Sequence, residues 1–105
     1  MRKLITNTVC EHLRVDPDDV TDPTARRSSA TCMARQVRIY LFRHIANMSV
    51  QDVMDETGCL ECVVHEAERD IRRARDSAVF NAMMEAIIEK LEGSNANADT
   101  AAASV

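Results

Sequence analysis

The chain reads as all-α: a small bundle of about five helices built around a helix-turn-helix. Three observations predict this. Apolar residues recur at i, i+3, i+4 and i+7 through most of the sequence. Only two Gly and two Pro interrupt it, and no stretch alternates as a strand would. A cap, a glycine and a second apolar series then follow one another between Ser49 and Ala74.

In chain order, residues from Arg2 to Val15 make a first helix with Leu4, Ile5, Val9 and Leu13 on one stripe. It should stop before Pro17, because a residue preceding proline is pushed out of the helical region. Asp16-Pro17-Asp18-Asp19 reads as a turn, with Val20 plugging the core from it and an irregular linker over Thr21-Asp22-Pro23-Thr24. Ser28 or Ser29 caps a long helix whose core stripe is Ala30, Met33, Ala34, Val37, Tyr40, Leu41 and Ile45. Arg35, Gln36, Arg38 and Arg43 lie mostly off that stripe.

Ser49 then caps a short helix, with Asp52 completing a capping box and Val50, Val53 and Met54 at helical spacing. Gly58 supplies the left-handed residue that ends it. Val63, Val64, Ala67, Ile71 and Ala74 open the next helix at once. A short helix, a glycine turn and a longer helix are the outline of a DNA-binding helix-turn-helix. The same outline fits an αα-hairpin without a nucleic-acid partner. A last helix carries Val79, Phe80, Met83, Met84, Ile87, Ile88 and Leu91 and ends near Gly93. Residues 94–105 are small, polar and of low complexity. They read as a disordered tail behind a domain spanning 1–93.

At 105 residues there is room for one core. Aromatics are 3% and Trp is absent, so that core must come from Leu, Ile, Val, Met and Ala. No run approaches the ~18 apolar residues of a membrane span, and no export signal opens the chain. A cytoplasmic protein with four reduced cysteines is expected. The net charge of −4 disfavours indiscriminate binding to polyanions. Yet five Arg and no acid lie between Thr24 and Ala46, and seven acids with one Arg between Asn47 and Asp70.

The chemistry-bearing residues suggest no enzyme. There is no nucleophile with its base and no phosphate loop, and the three His join no marked Ser or Asp. Cys59-x-x-Cys62-x-x-His65 has a spacing that invites a metal or redox reading. Small fillers at a half-buried helix start explain it as well, and no metal or cofactor is expected. Arg72, Arg73 and Arg75 could touch phosphate, but Asp70 and Asp76 beside them suggest ion pairs on a wet face.

Over about residues 3 to 91 the chain resembles the C-terminal DNA-binding domain of the DnaA family of bacterial chromosomal replication initiators. The resemblance rests on Ala34-Arg35-Gln36, Ile39-Tyr40-Leu41 and the spacing from there to Ser49 and Gly58. It implies a Trp-repressor-like helical bundle that binds double-stranded DNA. Arg27 would lie in a basic loop on the backbone and minor groove, with Arg35 and Gln36 at the DNA surface; on a DNA-binding reading Arg26 and Arg38 would join them in holding the backbone. Leu60, Glu61 and Val63 would face the major groove.

The departure lies at the start of the second arm. The family signature there reads Gly-Arg-Asp-His-Ser/Thr-Thr-Val, and this chain has Cys59-Leu60-Glu61-Cys62-Val63-Val64-His65. Valine and leucine can touch a thymine methyl but cannot hydrogen-bond a base. Altered or weak sequence preference is therefore expected. The alternative is a protein-interaction module, with a partner or a second copy docking on Leu60, Cys62 and Val63.

Overall fold

The computed structural model describes residues 1–22 and 28–103, with side chains described up to residue 93. The described residues form six α-helices and no strand: α1 (Arg2–Leu13), α2 (Pro17–Thr21), α3 (Ser29–His44), α4 (Val50–Thr57), α5 (Glu61–Ala74) and α6 (Ala78–Ala103). The all-α class holds, with one helix more than the spacing suggested.

The additional helix is α2. Asp16 sits in extended backbone and its carboxylate accepts from the Asp18 N–H at 2.9 Å, while Pro17 occupies the first helical position. Proline fits there because its missing N–H would have no intrahelical partner. So Pro17 ends one helix and begins another, and the expected turn is a helical one. Val20 does plug the core, at 4% exposure.

Helix α3 is the axis of the bundle: α1, α2, α4 and α5 all pack against it. Ser28 caps it by accepting from the Thr31 N–H at 3.0 Å. A helix so surrounded has no single core stripe. Ala34, Val37, Tyr40 and Leu41 are buried as expected, but so are Arg38, Ile39 and Phe42. Ala30 is exposed and Met33 is 40% exposed, while Thr31 in the same turns is buried. The placement of Arg38 off the core face is thereby corrected.

The α4–α5 pair follows its sequence signals closely. The Ser49 hydroxyl accepts from the Asp52 N–H at 3.1 Å, and Gly58 caps α4 at φ 73°, where a side chain would be strained. Val53 anchors α4 in the core, and Val64, Ala67 and Ile71 anchor α5. Met84, Ile87 and Leu91 bury α6 against the rest, and α6 packs along α1. The helical backbone continues past Gly93 to Ala103, beyond the expected end. No proline or left-handed residue stops it, and five alanines between residues 96 and 103 favour helix.

Among the described residues no helix is long and apolar enough to cross a membrane. The four cysteines are free thiols.

Candidate nucleic-acid interface

Helix α5 buries one face only. Val64, Ala67 and Ile71 point inward, so at 100° per residue Cys62, His65, Glu66, Arg69 and Arg73 share the opposite face, and all five are exposed. Arg72 flanks them and is exposed too. Arg69 lies 3.5 Å from Asp70. Neither Arg72 nor Arg73 has a carboxylate within 4.0 Å among the described residues. The expected ion pairs of these two arginines with Asp70 and Asp76 do not form. Asp70 instead accepts from Gln36 Nε2 at 3.0 Å, across the α3–α5 contact.

The start of α5 is apolar and uncapped. Leu60 occupies the cap position without a side-chain acceptor and is 68% exposed; Val63 is 38% exposed. Glu61 is exposed and lies 3.5 Å from His65. Cys59 packs against the core and Cys62 faces outward. Among the described residues no cluster of His, Cys, Asp and Glu is arranged to hold a metal ion.

The arginines of α3 are occupied within the fold. Arg35 reaches back to the end of α2, where its Nη2 donates to the carbonyls of Asp19 and Asp22 at 2.7 Å each and its Nε to that of Val20 at 3.3 Å. It thus serves as the C-terminal cap of a helix of five residues. Arg38 is 7% exposed; its Nε donates to Thr6 Oγ1 at 2.9 Å and its guanidinium stacks 4.9 Å above the Phe42 ring. Burial pulls its pKa below the ordinary arginine value, with Glu56 partly opposing. Arg43 pairs with Glu68 on α5 and donates to the Met48 carbonyl at 2.8 Å. Arg75, just beyond α5, holds Tyr40, Asn81 and Glu85.

A groove of about 520 Å³ runs between α2, α3 and the α4–α5 turn. Arg35, Gln36, Arg38, Leu60 and Val63 all line it, so most of the sequence-based set meets in one place. Arg35 and Gln36, however, spend donors on α2 carbonyls and on Asp70, and Arg38 spends its Nε on Thr6. Glu61 is absent from its walls, and Arg26 and Arg27 lie outside the described residues. Sequence reasoning passed over Arg69 and discounted Arg72 and Arg73. The helical period that places Val64, Ala67 and Ile71 inward already put Arg69 and Arg73 on the outer face.

The fold and this surface define an all-α domain with a glycine-turned helix pair and a solvent-facing second arm. No protein-family model matches the chain. It is similar to a chromosomal replication initiator protein DnaA of Synechococcus sp. (strain JA-2-3B'a(2-13)), at 28% identity over 90 residues, which is 84% of this chain. The match covers 19% of the initiator, so this chain spans about a fifth of that protein's length.

Proposed function

We propose that the chain is a DnaA-like helix-turn-helix domain that binds double-stranded DNA in the cytoplasm, with α5 as the recognition helix. The observation that carries this reading is the outer face of α5, where Arg69, Arg72 and Arg73 stand exposed and the last two lack carboxylate partners among the described residues. The likeness to a chromosomal replication initiator supports it and points towards replication initiation or the regulation of transcription.

Arg69, Arg72 and Arg73 grip phosphate in this proposal. Leu60, Glu61 and Val63 lie toward the bases, where an apolar end senses thymine methyls and little else. Arg27 adds a loop contact, as the family resemblance implies, and Arg26 stands beside it in the sequence. Arg35, Gln36 and Arg38 shape the domain rather than touch DNA. Affinity is then dominated by phosphate contacts and nearly blind to sequence.

Anisotropy titration of a random-sequence duplex at two salt concentrations tests the proposal. Binding should appear at low salt and fall steeply as salt rises. Arg69→Ala/Arg72→Ala/Arg73→Ala should flatten the slope of log affinity against log salt by roughly 0.9 for each phosphate contact removed. Absence of binding at low salt would overturn the reading.

One observation favours a second reading. Leu60 stands 68% exposed at the rim of the groove, beside Val63. On this reading a second copy of the chain, or another protein, covers Leu60, Cys62 and Val63. Sedimentation at high concentration decides it: a monomer at every concentration, unaltered by Leu60→Asp, removes self-association.

A further inference from the structure

Among the described residues Arg38 is the one arginine buried in the core, and no carboxylate of theirs lies within 4.0 Å of it. Withdrawing a guanidinium from water without a counter-ion is costly, and buried charges are normally paired. Its Nε is bonded to Thr6, while the terminal nitrogens have no protein acceptor. Yet no fully buried side-chain polar atom among the described residues lacks a partner. The terminal nitrogens are therefore not sealed in, and they open onto the spaces that Arg38 lines.

Two spaces qualify. The large groove has Val20, Ile39 and Val63 in its walls with Glu66, and its other arginine, Arg35, is already spent on the α2 carbonyls. The second is a hollow of about 220 Å³ between α1, α2 and the end of α4. Arg2, Lys3, Thr6 and Asn7 line it from α1, with Asp18 and Glu56 opposite. Glu56 is engaged by Arg2 at 3.2 Å, and Lys3 has no ion pair among the described residues. Cations outnumber acids here, and donors converge from one helix face.

We propose that this hollow binds a free oxyanion of the phosphate class, held by Arg38 from below and by Lys3 and the Asn7 amide at the rim. The planar guanidinium fork suits such an anion, which would supply the direct ionic partner that Arg38 lacks among the described residues. The 7% exposure of Arg38 selects a small anion: a phosphodiester fixed in a duplex cannot descend to it. The site is thus separate from the DNA surface proposed on α5, and either can fail without the other.

The test is a titration of the full chain with inorganic phosphate, at ionic strength held constant with chloride, followed by the Arg38 Nε–Hε resonance. A saturable shift at millimolar phosphate is expected, together with a rise in Tm that chloride does not give. Lys3→Ala, an exposed change that leaves the core intact, should weaken binding about twofold to fivefold. Arg38→Met keeps the apolar stem and should abolish the phosphate-dependent rise in Tm. A non-saturating shift, an equal response to chloride, or unchanged binding by Lys3→Ala would each overturn the proposal. So would an Arg38 resonance that moves with a short duplex and not with free phosphate.

Discussion

Helices α3 and α5 each carry three arginines, and the protein uses them in opposite ways. On α3, Arg35 caps α2, Arg38 lies in the core against Phe42, and Arg43 ties α3 to Glu68 and to the Met48 carbonyl. On α5, Arg69, Arg72 and Arg73 stand in solvent. Position explains the difference. Four helices surround α3, so a long side chain leaving it meets carbonyls, hydroxyls and rings before it meets water. Helix α5 buries one face, so its outer side chains meet only neighbours on their own helix among the described residues. A count of positive charge along the sequence cannot separate these cases. The α3 arginines raise the apparent basicity of a segment whose charge serves internal structure.

Mutations can break this contrast. The largest effect is expected for Arg38→Ala, which removes the stem packed on Phe42 and the donor to Thr6; about 2–4 kcal/mol of stability should be lost. Arg73→Ala should stay within about 0.5 kcal/mol of the parent. Urea unfolding of the two variants measures both, and equal losses would show that the two helices do not differ as described. Arg35→Ala comes next, at about 1–3 kcal/mol for charge-assisted bonds to three carbonyls. Its loss should be local, so amide exchange should quicken in α2 while α5 stays protected. Gly58→Ala follows at ~1 kcal/mol. A Cβ at Gly58 would meet nothing within 4 Å, so the whole penalty is the positive φ that turns α4 into α5. A fully tolerated alanine would mean that this turn is not what sets the α5 arginines on their outward face.

The local signals in the sequence translated well, and the long-range ones did not. Ser49, Gly58 and the Val64–Ala67–Ile71 spacing carry the α4–α5 pair because caps, left-handed glycines and helical period act within a few residues. Val20 as a core plug was legible for the same reason. The fate of Arg38 depends on Thr6, 32 residues earlier in the chain, and no periodicity encodes that distance. Stripe analysis assumed one buried face for α3, and a central helix violates the assumption. Pro17 stops α1, and with Asp16 before it the same residue also starts α2. At the candidate site, Leu60 and Val63 are exposed, which no apolar spacing decides in advance. Arg69 and Arg73 needed only the helical period to be read outward as well as inward.

The smallest effect sharpens the contrast where the two helices meet. His44 ends α3, its ring 4.4 Å from that of Tyr40. The residue is exposed, yet partial desolvation of its ring lowers its pKa from the ordinary 6.5; Glu68 opposes this, while Arg72, Arg43 and Arg75 add to it. An unfolded chain therefore takes up this proton at a higher pH than the folded one does. His44 contributes nothing against folding while it is neutral in both states, above its ordinary value. As pH falls through about 6.5 toward the lower folded value, stability should decline, and the decline should level off once the folded imidazole is protonated too. Urea midpoints for the parent and His44→Gln, compared on either side of that window, isolate the effect from His12 and His65. The parent should lose more on acidification than the variant. The difference should shrink when Arg72→Ala is added, because Arg72 is the α5 charge that most strongly resists a proton on α3. If Arg72→Ala leaves the difference unchanged, the exposed arginines of α5 and the structural end of α3 do not sense one another, and the two helices are electrostatically separate.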